Sequence, residues 1–231
     1  MSPSPVLLVH GAWGGAWAWG FVQAALEERG IPSVAVDLPS RGTAPSTLAD
    51  DSRVVREALE QMDAPAVLVG HSYSGEVITD ASAGNDGVAH LVYVCAVLPE
   101  VGETTLGLMG SDPTPSTLGE AIRATDDGLS TLDPDGARRD LFNDVSAEQS
   151  APIIELLGTH RLSVFGESAS ALGWKEHPST YLLTTQDRVF SPELQRTMAA
   201  RAGNVIQLDA GHIPLLSRPT EIADAIAAVA R

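Results

Sequence analysis

Short apolar runs alternate along this chain with stretches in which apolar residues recur at helical spacing. The short runs are rich in β-branched residues and are bounded by Gly, Pro or Asp, which favours strands over helices. They predict six strands, at residues 6–10, 32–37, 66–69, 88–94, 180–184 and 205–208. The helical spacing predicts helices at residues 17–29, 48–62, 75–83, 192–201 and 219–230. This alternation is typical of a mainly parallel α/β sheet of about six strands flanked by helices.

The stretch from Pro99 to about Pro178 interrupts the alternation, because no clear strand is visible in it and Gly, Pro, Ser, Thr and Asp are frequent. Its pattern predicts only short helices, at residues 118–124, 135–142 and 147–157. A long insertion within a compact α/β sheet is usually a lid or cap. We therefore expect a core of residues 1–98 and 179–231 and a cap of residues 99–178. Two strands of the same sheet follow the insertion, which disfavours a separate domain.

Composition narrows the class of protein. The chain has 231 residues, enough for one α/β domain, and a net charge of −16, which argues against nucleic acid or an anionic membrane as a partner. No signal peptide and no apolar stretch of membrane-spanning length is visible, so a cytoplasmic location is expected. The single cysteine, Cys95, excludes an intrachain disulfide and is interpreted as a small core residue.

The most informative motif follows the third predicted strand and reads Gly70-His71-Ser72-Tyr73-Ser74-Gly75. A serine between small residues, placed between a strand and a helix, is typical of a nucleophile elbow, in which a sharp turn exposes the hydroxyl. The usual pattern is G-x-S-x-G, whereas this chain has Ser74 at the last position and glycine one place later. The alternative interpretation is an ordinary turn at the end of a strand.

A nucleophilic serine needs a base, and the base needs a group that orients it. Asp187 and His212 follow the last two predicted strands. They come in the order acid then histidine, which is the chain order in which the partners of a serine in this motif occur. The competing acids are Asp37, Asp126 and Asp209; Asp37 precedes the serine, and Asp209 is too near the histidine along the chain. The other histidines fit less well as the base, although His160 and His177, both in the insertion, could line a pocket.

The tetrahedral intermediate of such chemistry needs two hydrogen-bond donors for its oxyanion. The backbone N–H of Tyr73, directly after the serine, is one candidate, and that of Ala12, in the loop after the first strand, is the other. Gly11 allows the backbone to approach the substrate closely. Trp13 is a candidate pocket wall, and the tryptophans that follow it in this loop are interpreted as packing residues.

Five stretches carry a resemblance to a known family, at residues 8–17, 37–39, 70–72, 186–190 and 211–212. Together they resemble the α/β-hydrolase superfamily, in particular the branch of plant methylesterases, hydroxynitrile lyases and their bacterial esterase relatives. The resemblance covers nearly the whole chain and is weakest in the insertion. It implies a catalytic triad of Ser72, Asp187 and His212, an oxyanion hole of Ala12 and Tyr73, and a small, mostly helical cap over the pocket.

Two positions separate this chain from the lyases of that branch. The lyases carry a threonine after the first-loop histidine and a lysine after the catalytic histidine, whereas this chain has Gly11 and Ile213. Because the positive charge is missing and the pocket beside Ile213 is more apolar, ester hydrolysis is favoured over cyanohydrin cleavage. We expect a hydrolase of small apolar or aromatic esters that uses no metal and no organic cofactor. Thioester or amide hydrolysis, a ligand-binding sensor of low turnover and a homodimer remain open.

Overall fold

Six parallel strands form the central sheet of this protein in a computed structural model that describes residues 3–231. The strand order is β2-β1-β3-β4-β8-β9. These strands are β1 (Val6–Val9), β2 (Ser33–Val36), β3 (Ala66–His71), β4 (Val88–Val94), β8 (Ser179–Thr184) and β9 (Asn204–Leu208). The helices are α1 (Gly20–Glu28), α2 (Leu48–Glu60), α3 (Ser74–Ser82), α4 (Thr105–Gly110), α5 (Pro134–Asp140), α6 (Ala147–Ile154), α7 (Pro192–Ala199), α8 (Pro214–Ser217) and α9 (Pro219–Val229). The expected parallel α/β sheet flanked by helices is confirmed.

Side chains alternate between the two faces of the sheet, so each face builds its own core. On one face Leu7 and Leu68 pack in a cluster with residues of α2 and α3, such as Val55 and Val77. On the other face Val6 and Val67 pack with α1 and α9, together with buried partners that include Leu26 and Ile226. Since the central strands are buried on both sides, they appear in the sequence as continuous apolar runs.

The segment of residues 99–178 contains strands as well as helices, so the expectation of a strand-free insertion was wrong. Its strands β5 (Ile122–Ala124), β6 (Leu129–Leu132) and β7 (His160–Arg161) form an antiparallel sheet. The helix predicted at residues 118–124 is a short 3₁₀ helix, Leu118–Ala121, that continues into β5. Strands of two to four residues are too short to give a periodic signal, and β7 pairs with β6 across a connection that contains α5 and α6.

The predicted helices at residues 135–142 and 147–157 are present as α5 and α6, each ending a few residues earlier. Helix α8, which begins two residues after His212, was not predicted. Within residues 3–231, no helix combines the length and the apolar character needed to cross a membrane.

Candidate active site

Ser72 stands at a strained turn between β3 and α3. Its φ of +56° lies in the left-handed region, which a residue with a side chain rarely adopts. The turn requires a glycine at position 75, because a Cβ there would lie 2.8 Å from the Cβ of Ala96 and collide with the carbonyl oxygen of Val97. This packing explains why the second glycine of the motif is at position 75, one residue later than in the usual G-x-S-x-G pattern.

Ser74, at the position where the usual motif has glycine, has a structural role of its own. Its hydroxyl oxygen accepts a hydrogen bond from the backbone N–H of His71 at 2.8 Å. The same hydroxyl lies 2.8 Å from the carbonyl oxygen of Val9 and 2.9 Å from that of His71. The side chain therefore ties the elbow to the end of β1.

The structure brings Ser72, His212 and Asp187 together in one hydrogen-bonded chain. His212 Nδ1 lies 2.9 Å from Asp187 Oδ2, and His212 Nε2 lies 2.9 Å from Ser72 Oγ. A carboxylate only accepts, so Nδ1 carries the proton and Nε2 accepts from the serine hydroxyl. All three residues are buried, and each follows the carboxyl end of a different strand.

The competing acids lie elsewhere in the structure. Asp209 accepts hydrogen bonds from Thr185 Oγ1 and Gln186 Nε2, and in the described residues the hydrogen-bond partners of the His212 ring are Asp187 and Ser72. Asp37 accepts a hydrogen bond from the backbone N–H of Ala16 and so holds the loop after β1. Asp126 is exposed in the turn between β5 and β6.

The backbone N–H groups of Ala12 and Tyr73 are not used in hydrogen bonds among residues 3–231. Both residues line the same cavity as Ser72. A free N–H on each side of the serine provides the donors that an oxyanion requires. Trp13, directly after Ala12, also has a positive φ, of +57°.

The cavity beside Ser72 has a volume of about 220 Å³. Gly11, Trp13 and Ile213 line it, and much of the remaining wall comes from apolar residues of the 99–178 segment, including Met109, Phe142, Leu157 and Phe165. Among the described residues of its wall, none is Asp, Glu, Lys or Arg. The cavity therefore suits a neutral, apolar ligand.

Two histidines that were candidates for the pocket do not line it in the described part of the chain. His160 is fully buried in the 99–178 segment, behind the rings of Trp13 and Phe165. His177 lies 2.9 Å from the carbonyl oxygen of Ser82 and so attaches the end of the segment to α3.

His71 does line the cavity, and it supports the loop of His212. Its Nε2 donates a hydrogen bond of 2.8 Å to the carbonyl oxygen of His212, and Cys95 Sγ lies 3.4 Å from that same oxygen. Burial and the neighbouring His212 ring lower the pKa of His71 to about 3, so it is neutral at ordinary pH.

Burial raises the pKa of the Cys95 thiol well above its usual value, which fits the core role expected for this residue.

His71, Cys95 and His212 also place atoms of the metal-ligand type within 4.8 Å of one another. Three buried donors at this spacing resemble a partial metal site. However, both ring nitrogens of His212 are engaged by Asp187 and Ser72, and Nε2 of His71 donates to a carbonyl oxygen. We assign no metal to this cluster, because binding would break the contacts that align His212.

Sequence reasoning missed two residues that hold Asp187. Gln195 Nε2 and Thr184 Oγ1 each lie 3.0 Å from Asp187 Oδ2. Gln195 is fully buried on α7, and its Oε1 accepts from the backbone N–H of Thr184. A buried glutamine has no distinctive sequence signal; the only hint was a polar side chain on the apolar face of a helix.

Comparison with known proteins identifies the family and the fold of this chain. The chain is 31% identical to an alpha/beta hydrolase, nvfD, of Aspergillus novofumigatus, over 93% of this chain and 91% of that protein. It is 28% identical to methylesterase 8 of Arabidopsis thaliana, over 97% of this chain and 88% of that protein. A crystal structure of a pyrethroid hydrolase from Sphingobium faniae JZ-2 matches with a TM-score of 0.87 at 26% identity, over 98% of this chain and 97% of that one. Residues 6–225 match the alpha/beta hydrolase family, and the chain belongs to that family.

Proposed function

We propose that this protein is a serine carboxylic ester hydrolase that acts on small apolar or aromatic esters. The observation that carries the proposal is the chain of two 2.9 Å contacts from Ser72 Oγ through His212 to Asp187. The similarity to proteins named methylesterase and pyrethroid hydrolase supports an ester as the substrate.

In the first half of the reaction Ser72 attacks the ester carbonyl carbon. His212 Nε2 takes the hydroxyl proton, and Asp187 stabilises the imidazolium that forms. The N–H groups of Ala12 and Tyr73 bind the negative oxygen of the tetrahedral intermediate. When the C–O bond to the alcohol breaks, His212 gives its proton to the leaving alcohol, and the acyl group remains on Ser72.

In the second half water attacks the acyl-enzyme. His212 removes a proton from the water, and a second tetrahedral intermediate occupies the same oxyanion hole. Its collapse releases the acid and returns the proton to Ser72 Oγ. The sequence of steps uses only side chains and backbone groups that line the cavity, together with Asp187 behind them.

The shape of the cavity supports the proposed substrate class. Its volume of about 220 Å³ is below the roughly 300–1,000 Å³ of sites for drug-sized ligands. Phe21 and Leu106 line the cavity although their side chains are 56% and 62% exposed, so the mouth is apolar as well. We propose that the 99–178 segment is a cap that covers the substrate and selects it, since much of the wall belongs to this segment.

The test combines a substrate series with labelling of the nucleophile. The wild type should hydrolyse short neutral esters faster than charged ones, and a fluorophosphonate should add one mass adduct, on Ser72. Ser72→Ala should lower kcat by at least ~10³-fold, since the three residues act as a unit. Ser168→Ala changes an exposed serine outside the cavity and serves as the matched control. An adduct on another serine, or cyanohydrin cleavage without esterase activity, would contradict the proposal.

A further inference from the structure

Trp13 has a backbone conformation that needs support from its surroundings. Its φ of +57° is unfavourable for a bulky residue, and such residues persist only where neighbouring contacts determine them. Because Trp13 directly follows Ala12, its conformation sets the course of the loop that carries the proposed oxyanion donor. Whatever holds Trp13 therefore also holds the N–H of Ala12.

Two hydrogen bonds hold Trp13, and both come from the 99–178 segment. The indole Nε1–H donates to Ser130 Oγ at 3.1 Å, and the backbone N–H of Gly158 donates to the Trp13 carbonyl oxygen at 2.8 Å. Ser130 Oγ in turn donates to the carbonyl oxygen of His160 at 3.0 Å, on the neighbouring strand β7. The hydroxyl is fully buried and oriented by that second bond, so its lone pair faces the indole.

The second proposed donor, Tyr73, touches the same part of the structure. The rings of Trp13, Tyr73, His160 and Phe165 form an aromatic cluster with centroid separations of 5.0–5.8 Å. Tyr73 has an anchor of its own, because its hydroxyl donates to Asp51 Oδ2 at 2.9 Å. The first donor has no such anchor of its own, and the only side chain that hydrogen-bonds Trp13 in the described residues is that of Ser130.

We propose that Ser130 is a positioning residue for the oxyanion hole and acts through Trp13 on the N–H of Ala12. Ser130 does not line the cavity, so it has no contact with substrate among the described residues. On this inference the 99–178 segment completes the catalytic machinery as well as covering it. The inference rests on the proposed function, since it assumes that Ala12 stabilises an oxyanion.

The test separates binding of an oxyanion from binding of a neutral ligand. Ser72 Oγ adds to the carbonyl carbon of a trifluoromethyl ketone while His212 Nε2 takes the hydroxyl proton, which gives a hemiketal alkoxide like the tetrahedral intermediate. The matching methyl ketone stays a ketone. Ser130→Ala should weaken binding of the trifluoromethyl ketone by about 10- to 100-fold and lower kcat by a similar factor, because small misplacements of a catalytic group are costly. Binding of the methyl ketone should change less than about twofold.

Two further variants control for a purely structural effect. Ser150→Ala removes another fully buried serine of the same segment, whose hydroxyl has no partner in the described residues, and should leave both affinities unchanged. Ser130→Cys keeps the side-chain shape, with a slightly larger atom that is a weaker acceptor, and should give an intermediate loss; it also provides the measurement if Ser130→Ala does not fold.

The outcomes distinguish this inference from the proposed function. If the wild type neither hydrolyses esters nor prefers the trifluoromethyl ketone, the proposed function fails. If the wild type does both but Ser130→Ala keeps the wild-type affinity for each ketone, the positioning role is overturned. Equal weakening of both ketones would also overturn it, because Ser130 would then only shape the pocket.

Discussion

Gln195 donates a hydrogen bond of 3.0 Å to Oδ2 of Asp187, the same oxygen that accepts from His212. The other carboxylate oxygen, Oδ1, accepts from the backbone N–H groups of Val189 at 2.7 Å and Phe190 at 3.0 Å. Donors on both oxygens leave the carboxylate one orientation, with Oδ2 facing the imidazole. The position of His212 is therefore set by α7 and the loop before it.

We expect Asp187→Asn to lower kcat by about 10³- to 10⁴-fold with little change in KM. The amide no longer selects the tautomer of His212 that accepts the serine proton, and loss of this selection has an effect of about that size in other serine enzymes. Steady-state kinetics on one good ester provides the measurement. Asp209→Asn is the control and should stay within about twofold of wild type; a larger loss for Asp209→Asn would mean that the acid is misassigned.

We expect Leu157→Ala to change the order of preference among esters, because Leu157 lines the cavity. Removing its side chain should favour longer acyl or alcohol groups by about 10-fold in relative kcat/KM, the low end of the effect of one methylene in an apolar pocket. The adjacent Leu156, which is 51% exposed and outside the cavity, provides the matched control as Leu156→Ala. Identical selectivity profiles for the two variants would refute a substrate-selecting role for this part of the segment.

The buried carboxyl group of Glu76 should make the free energy of unfolding depend on pH. It is buried on α3, where Oε2 accepts from the N–H and hydroxyl of Thr105 and Oε1 has no partner in the described chain. Burial, with a smaller effect of nearby Asp80, raises the pKa of this carboxyl from 4.5 to about 7. The folded state therefore binds the proton more tightly than the unfolded state, and the free energy of unfolding falls as pH rises between these values.

Glu76→Gln should remove this part of the pH dependence. The wild type should lose roughly 2–3 kcal/mol relative to the variant between pH 4.5 and 7, at about 1.36 kcal/mol per pKa unit. Urea unfolding across this range measures the difference. Glu60→Gln removes an exposed carboxylate and should keep the wild-type slope. Parallel curves for wild type and Glu76→Gln would show that the carboxyl of Glu76 is not perturbed.

Gly75→Ala should destabilise the protein by about 1–3 kcal/mol or more and abolish most activity. The added methyl group would collide with the carbonyl of Val97, and relief of that overlap would move the turn that presents Ser72. Gly20→Ala is the control, because its site at the start of α1 is open and helical, and it should gain about 0.4–1 kcal/mol. Thermal unfolding compares the two, and equal midpoints would disprove the packing argument.

The sequence was sufficient to predict the parallel sheet and to locate its six strands along the chain. Buried parallel strands appear as apolar runs, and polar residues that follow them stand out, which is how Ser72, Asp187 and His212 were selected. The structure brings these three together, while their catalytic roles stay predictions. The same reasoning failed for the small sheet of β5, β6 and β7, where strands of two to four residues carry no period.

The sequence by itself thus determined the fold class of this protein and the residues of its candidate triad. The signals for them, periodic apolar patterns and polar residues at strand ends, each lie within a short stretch of chain. Tertiary structure alone decided how those residues are held. Ser130 and Trp13 are 117 residues apart in the chain, and Gln195 is one polar residue within an amphipathic helix. A single hydrogen bond between distant segments leaves no pattern along the sequence, so only the folded arrangement shows which hydroxyl or amide supports the site.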